Sequence, residues 1–582
     1  MVYDALINVI HQYRGSVIGF SGDAITCWFD GDDGLRATAC ALGMQREMEQ
    51  FATVTLVSGK TVSLSIKTAI STGTAMRFVV GDPEISLIDV LSGAIMDNLA
   101  AAEHMAGRGE TVLDPASSST LGARVSYHKW VTDPDTGERY GVVDRLEEHI
   151  QTDPWPEIPD QAFDRDQARS WVLRPVFNRL AAGQGDFLAE LRPAVALFLR
   201  FRGIDFEADE EAETKLGNFV RLVQRRLERY EGTLVQLTIG DKGSYMYAAF
   251  GAPLAHEDDP VRAAQVALEL QSIGSELDFI TSMQIGITRG RMRTGAYGST
   301  SRRTYGVLGD AVNLSARLMQ KAEPGQILIS QKVFQSIEDL FICNKLPDIQ
   351  VKGKSDTIEV YRLVGRKDKL SLRLKSSEHD HPMVGRQAEL KKLEDLLEEV
   401  QRGSGQIAAI VGEAGMGKTR LIAELLERAE AKSFSIYGGE CLSYGTRTNY
   451  HAWQNVWRGL LNIDPGWETE DQISALTCEL ELISPTLMQR LPLLGVLFNL
   501  SIPDTDLTRP MDSKLRKSSL ESLLLDSLRA KVKERPTLIV LENIHWLDPL
   551  SHDLLEIIAK AIGSLPAMIV MAYRPFEVTR LQ

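Results

Sequence analysis

A block of residues in the first third of this chain recurs in the middle third at one fixed spacing. Ile70-Ser71-Thr72-Gly73 is matched by Ile287-Thr288-Arg289-Gly290, Gly81 by Gly298, Val90-Leu91 by Val307-Leu308 and Ala94 by Ala311, each pair 217 residues apart. Upstream, Gly15 pairs with Gly232 at the same offset, and Gly22-Asp23 pairs with Gly240-Asp241 after a one-residue insertion. One offset held over so long a stretch does not arise by accident. The chain carries two divergent copies of one domain, and such copies often pack about a pseudo-twofold axis, as isologous dimers do.

Each copy reads as mixed α/β. In the second, Pro193–Phe201, Leu234–Ile239, Tyr245–Phe250 and Met283–Thr288 read as strands, and Asp259–Gly274 and Asp310–Ala322 as helices. The stretch between the copies is weakly patterned and rich in Asp, Pro and Gly. It reads as an extended connector over 115–190 with a short helix at Pro175–Ala182, where proline suits a first helical position. A charged linker, 366–382, follows the second copy.

With 582 residues the chain has room for roughly three to four domains. A net charge of −15 argues against nucleic acid as a partner. The five cysteines are far apart and lack metal-ligand spacing, which suits a reducing compartment. No apolar run approaches the ~20 residues that cross a bilayer, and the N-terminus has no signal-peptide pattern. A soluble, cytoplasmic chain is the expectation.

The last third opens on a second strong constraint. Gly412-Glu413-Ala414-Gly415-Met416-Gly417-Lys418-Thr419 fits G-x-x-x-x-G-K-[ST], with the apolar run Ile407–Val411 before it and the helical pattern Leu421–Ala429 after it. The glycines Gly412, Gly415 and Gly417 let successive backbone N–H groups converge on one anion, and the helix N-terminus adds its partial positive charge. Lys418 would reach the β- and γ-phosphates of a nucleotide, and Thr419 would hold Mg²⁺.

The two copies resemble the class III nucleotidyl cyclases, and specifically the soluble adenylyl cyclases with paired catalytic domains. The resemblance rests on Gly232-Thr233 with Gly240-Asp241-Lys242-Gly243, on Gly309-Asp310-Ala311-Val312-Asn313-Leu314-Ser315-Ala316-Arg317-Leu318, and on Val351-Lys352-Gly353-Lys354. It covers about residues 1–365. It implies one productive site at the interface of the halves, one giving metal-binding aspartates and the other nucleotide contacts. Asn313 and Arg317, four apart and so on one helix face, would orient the ribose and neutralise the α-phosphate in the transition state. An always-charged, rigid donor fork suits the second task. Lys352 matches the lysine that clamps the triphosphate, and Lys242 a purine-contacting lysine. In the first copy the Asn and Arg positions fall on Met96 and Ala100, but Arg14–Ala24 resembles the hairpin whose aspartate, here Asp23, binds Mg²⁺ or Mn²⁺. A plain Gly-Asp hairpin turn reads the same way.

The pattern departs from the family at two places. The second metal aspartate would lie farther upstream than the 22 residues that precede Asp23, and its counterpart in the second copy is Arg200. Either the chain begins late or the cyclase has lost catalysis. The purine-selecting position, seven before Asn313, is Gly306, which favours neither ATP nor GTP; ATP follows from the overall resemblance.

Val384–Leu390 with the phosphate loop resembles the opening of AAA-like and STAND signalling ATPases. Thr537–Glu542 is an apolar strand ending in an acid, the Walker B arrangement, with Glu542 as an acid that could hold Mg²⁺ through water. Its neighbour is Asn543 where relatives carry a second acid; asparagine cannot take a proton from water, so hydrolysis is expected to be slow or absent unless Asp548 compensates. Arg574 resembles a sensor-like residue. The expected architecture is α/β multidomain: a first ferredoxin-like α+β cyclase domain over 1–114, a connector over 115–190, a second such domain over 191–365, a linker over 366–382 and a P-loop α/β ATPase domain over 383–582, incomplete at both ends of the chain. The expected function is an adenylyl cyclase, ATP to cyclic AMP and pyrophosphate, with ATP also the ligand of a regulatory module that meets a protein partner through a further C-terminal region. The alternative is an inactive cyclase pair attached to an ATP-binding switch.

Overall fold

The computed structural model describes residues 2–22, 24–55, 61–156, 159, 162, 164–183, 189–240, 243–350, 357–367, 385–413, 415–441, 449–464 and 467–575. It divides into two compact units, Met1–Arg366 and Lys367–Gln582. No helix among the described residues is long and apolar enough to cross a membrane.

The first unit repeats itself in three dimensions as it does in sequence. Its first half runs α1 (Val2–Gln12), β1 (Ser16–Ser21), β2 (Ala24–Trp28), α2 (Leu35–Met48), β3 (Thr68–Ile70), β4 (Met76–Asp82), β5 (Ser86–Ser92), α3 (Ala94–Met105), β6 (Thr111–Leu113), α4 (Pro115–Leu121), β7 (Val125–Thr132) and β8 (Arg139–Leu146). After a short helix α5 (Arg174–Ala181), the second half runs β9 (Glu190–Arg202), α6 (Ala212–Arg229), β10 (Thr233–Thr238), β11 (Ser244–Phe250) and α7 (Asp259–Gln271). It continues with β12 (Ser282–Gly298), β13 (Arg303–Leu308), α8 (Asp310–Lys321), β14 (Ile327–Ser330), α9 (Gln331–Ile337), β15 (Phe341–Lys345) and β16 (Val360–Arg366).

Pairing follows the same plan in both halves. The order β3-β6-β8-β7 in the first is answered by β12-β14-β16-β15 in the second, and β1-β2 by β10-β11. The long strand β12 covers the tract that the first half splits into β3 and β4, so both halves extend a hairpin, β4–β5 or β12–β13. In the second half β9 pairs with both β11 and β12 and knits everything into one eight-stranded sheet. The first half has no counterpart of β9 among its described residues, and its sheet stands in separate pieces.

The helices form because their apolar residues recur every three or four positions. On α6, Leu216, Phe219, Val220, Val223 and Leu227 are buried along one stripe; on α1, Leu6, Ile7, Val9 and Ile10 are.

The expected connector over 115–190 needs correction. Residues 115–146 belong to the first half: α4 is followed by β7 and β8, which pair with each other, and β8 pairs with β6. The Asp-Pro-Asp-Thr-Gly run that suggested a linker is the turn of this hairpin. It is closed by Asp133 N to Glu138 O and Gly137 N to Asp133 O, with Gly137 at φ +75°, where glycine is favoured. The helix expected at Pro175 is present with the proline in its first turn.

The second unit is a four-stranded parallel sheet. It contains α10 (Gln387–Gln401), β17 (Gln406–Val411), α11 (Lys418–Ala431), β18 (Ser435–Glu440), α12 (His451–Leu460), α13 (Thr469–Ile483), α14 (Ser513–Glu534), β19 (Thr537–Glu542), α15 (Pro549–Ile562) and β20 (Ala567–Tyr573). The strand order is β17-β20-β19-β18. One face packs on α10 and α11 through Leu393, Leu397, Leu421, Ile422 and Leu425. The other packs on α12 to α15 through Trp453, Trp457, Leu480, Leu524 and Leu554. A strand covered on both sides must be apolar throughout, and every residue of β19 is buried.

Candidate functional site

In the first unit, the candidate residues Asn313 and Arg317 sit on α8. This helix lies directly against the sheet because β12 carries glycine beneath it: a Cβ at Gly286 would sit 2.3 Å from the carbonyl oxygen of Ser315. Ser315 is buried and its hydroxyl lies 2.9 Å from the carbonyl of Ala196 and 2.7 Å from that of Gly286, tying the helix to two central strands. Thr288 donates to the carbonyl of Ala311 at 2.6 Å. With Val312, Ser315, Leu318 and Met319 turned inward, Asn313 is left exposed and Arg317 half-buried. Neither side chain makes a hydrogen bond or ion pair with another described residue. A half-buried guanidinium with unspent donors is suited to an anionic ligand. Asp23, Lys242 and Lys352 lie outside the described residues.

The two halves grip each other reciprocally. Helix α1 and strand β1 of the first meet the β12–β13 hairpin of the second: Thr300 N donates to Asp4 Oδ1 at 3.0 Å, and the Tyr297 ring packs 5.3 Å from Phe20 and 6.2 Å from Tyr3. Helix α6 of the second meets the β4–β5 hairpin of the first. Gln224, 2% exposed, accepts from Asp82 N and donates to the carbonyl of Ser86, both at 2.7 Å, while Arg225 donates to Asp82 at 3.0 Å. Helix-on-hairpin, twice, with the roles exchanged, is the signature of an isologous interface. Neither Gln224 nor Tyr297 stood out in the sequence; a polar residue on the apolar stripe of α6 was the signal for the first.

The positions equivalent by this pseudosymmetry are chemically different. On α3, Met96 and Ala100 replace Asn313 and Arg317. The N-terminus of α3 is already taken, since the Ala94 N–H donates to Glu207 Oε1 at 2.6 Å. Arg200 on β9 lies under Gly243, where a Cβ would come within 2.9 Å of its Nε, and burial pulls its pKa down.

In the second unit, Gly415 and Gly417 adopt φ of +76° and +81°, left-handed conformations that glycine tolerates best. The loop delivers Lys418 and Thr419 to the first turn of α11. Lys418 folds back to donate to the carbonyls of Gly412 at 2.7 Å and Glu413 at 3.0 Å. Burial, and then the nearby charge of Arg574, lower its pKa. Two cations thus converge on the loop. Glu542 ends β19 and is 8% exposed. The Thr419 hydroxyl and the Glu542 carboxylate are hard oxygen donors, the kind that suits Mg²⁺.

Asp548, which the sequence offered as a compensating acid, has a structural task here. It is 3% exposed and caps α15, accepting from Ser551 N at 2.9 Å. It also accepts from Tyr450 N at 3.1 Å and His451 N at 3.2 Å, fixing the start of α12. Its two oxygens take three backbone donors between them. His545 and Trp546 lie side by side, ring centres 5.3 Å apart, with Trp546 against the core. Asn543 sits at φ +55°, a conformation asparagine enters more readily than most residues.

Comparison with known proteins agrees with this division. The family model described as adenylate and guanylate cyclase catalytic domain matches residues 210–365, and that described as AAA ATPase domain matches residues 382–571. Adenylate cyclase type 10 of Homo sapiens is 21% identical over 98% of this chain, which spans 37% of that relative's length. An adenylate cyclase of Mycobacterium tuberculosis is 30% identical over 36% of this chain and 48% of its own. The crystal structure of the adenylyl cyclase CyaB from P. aeruginosa is 26% identical, covering 31% of this chain and 99% of that one at a TM-score of 0.29. The chain carries a nucleotidyl cyclase catalytic domain and an AAA ATPase domain.

Proposed function

We propose that the first unit is a paired class III cyclase that converts ATP to cyclic AMP and pyrophosphate at the interface of its halves, and that the second is a STAND-type nucleotide-binding module that regulates this output in signalling. The observation that carries the reading is the presentation of Asn313 and Arg317: one face of one helix, pinned to the central strands by Ser315, with donors left for a ligand.

In the reaction, the ribose 3′ oxygen attacks the α-phosphorus, the bond from that phosphorus to the bridging oxygen breaks, and pyrophosphate leaves with the bonding pair. The hydroxyl proton is lost to solvent or to a basic group. Asn313 holds the ribose in line, converting attack into an oriented, effectively unimolecular step. Arg317 donates to the α-phosphate oxygens, where charge grows in the transition state. Lys352 clamps the triphosphate and Lys242 contacts the purine. A divalent cation on Asp23 would supply Lewis-acid activation of the hydroxyl and of the leaving group. In the second unit Gly412, Gly415, Gly417, Lys418 and Thr419 hold a second ATP, with Glu542 beside its metal.

A second reading is favoured by the second half's inability to supply the family's other metal aspartate, since its matching position is Arg200: the cyclase pair binds nucleotide without turning it over, and the ATP-loaded second unit is the working switch. Cyclic nucleotide formation by the purified chain, with Mg²⁺ or Mn²⁺ and ATP or GTP, separates the two. Cyclic AMP that disappears in Arg317→Ala supports the enzyme. No product with any metal, alongside ATP binding that disappears in Lys418→Ala, leaves the switch.

A further inference from the structure

We propose that the second unit hydrolyses its ATP, and that Glu440, at the end of β18, is the carboxylate that takes the proton of the attacking water. The inference rests on the reading of this unit as an ATP-binding module.

Neighbouring parallel strands place Ile410, Ala572, Glu542 and Glu440 side by side in one row across the sheet, at or next to the C-terminal ends of all four strands. Residues in one such row point to the same face. Ile410 and Ala572 identify that face, because both pack in the core shared with Leu421 and Ile422 of α11, the helix that follows the phosphate loop. Glu542 and Glu440 therefore project on the loop's side of the sheet, from adjacent strands about 4.8 Å apart. Open parallel sheets bind ligands outside these strand ends.

The electrostatics agree with this placement. Glu542 is among the charges felt by Lys418. The Cys441 thiol is pushed up by burial and then by Asp548, Glu440 and Glu542, so the three carboxylates cluster at this edge. They divide the work by position. Asp548 is consumed as a helix cap. Glu542 lies nearer the loop, where a magnesium-bound phosphate would sit. Glu440 lies one strand farther out and is half-buried, and the attacking water would sit between it and the phosphate chain. Asn543, next to Glu542, cannot accept a proton, and Glu440 supplies that capacity from the neighbouring strand.

The step balances without another reactant. The water oxygen bonds to the γ-phosphorus, and the bond from that phosphorus to the β,γ-bridging oxygen breaks. ADP leaves with the bonding pair, and the water proton passes to Glu440. The products are ADP and orthophosphate, whereas ring closure at the first unit releases pyrophosphate.

The test uses the full chain in an Arg317→Ala background, so that ring closure does not consume substrate, and measures orthophosphate release with Mg²⁺-ATP beside ATP affinity. Glu440→Gln is expected to lower release at least ~100-fold with affinity unchanged, and Glu440→Asp to keep part of the rate. Release unchanged in Glu440→Gln overturns the assignment of Glu440. A parent chain that binds ATP yet releases no orthophosphate overturns hydrolysis and leaves the binding module standing. A parent chain whose only loss on Lys418→Ala is of nothing measurable, because ATP does not bind the second unit, removes that module's reading and this inference with it.

Discussion

Asp548 shows how one residue type can mislead when only its motif is read. It lies six residues beyond Glu542, the acid that ends β19, and the sequence suggested chemistry. Yet Asp548-Pro549 is also the start signal of a helix, a carboxylate at the N-cap with proline in the first turn. Three backbone N–H groups converge on it in the manner of such a cap. Asp548→Ala should therefore cost about 2–4 kcal/mol, one lost cap plus buried donors left unpaired. Asp548→Asn, which keeps an acceptor, should lose less. Urea midpoints of the second unit's transition measure this, and ATP affinity of the folded fraction should not move. A variant of native stability that no longer hydrolyses ATP would return Asp548 to the catalytic group. Asn313 and Arg317 were the opposite case. Their spacing put them on one face, and the structure leaves that face open because Val312, Ser315 and Leu318 take the inward positions.

At the scale of elements, two contacts carry predictions. The first is the seat of α8 on β12. A methyl group at Gly286 would meet backbone, the Ser315 carbonyl at 2.3 Å and the Met319 nitrogen at 2.4 Å, so neither partner can swing aside. Gly286→Ala should lift the helix from the sheet and cost about 1–3 kcal/mol. Ring closure should fall further than Ser315→Ala lowers it, since Ser315→Ala removes a tether without a clash. Equal activity in both variants would mean that the height of α8 does not matter. The second contact joins the turn after α6 to the start of α7. His256 lies 2.8 Å from Glu231 and 3.4 Å from Asp259, while Arg262, 1% exposed, bonds Glu231 and Asp258 at 2.8 Å each. Asp259 first, and then Glu231, raise the His256 pKa to about 9. His256 and then Arg262 hold Glu231 near 2 against the cost of its burial. A raised histidine stabilises fully below its unfolded value of 6.5 and loses that contribution as pH climbs through about 9. The first unit should accordingly weaken between these limits, and His256→Gln should flatten that limb of its urea midpoint against pH. An unchanged limb would assign the alkaline loss to other groups. These elements were largely readable beforehand: Asp310–Lys321 and Thr537–Glu542 match the expected helix and strand closely. The hairpin of β7 and β8 was not, because its turn residues outweigh two short strands when no partner strand is known. Glu440 was missed for a related reason. A strand-ending acid drew notice only beside a familiar motif, and register, which sequence does not give, places it next to Glu542.

For the whole molecule, the decisive fact is that pseudosymmetry is structural and not chemical. On the proposed reading, the first unit would offer a nucleotide two places related by the exchange of halves. One has Asn313 and Arg317; the other has Met96, Ala100 and the cation Arg200, with the α3 N-terminus closed by Glu207. A methionine and an alanine offer no donors to a phosphate, and a half-buried arginine repels the divalent cation that a nucleotide brings. The chain should therefore bind two molecules of a non-reactive ATP analogue, one per unit, and not three. Arg317→Ala should weaken only the first and Lys418→Ala only the second, each leaving one tight site in a calorimetric titration. The double variant should show none. A third site that survives the double variant would mean that the degenerate face has kept a ligand, and the division of labour between the halves would have to be redrawn around Arg200. Adding Met96→Asn and Ala100→Arg to the parent should not create a second cyclase centre. The donors would be restored, but the opposing half would still present Arg200 where an acid is required, and cyclic AMP per chain should not rise.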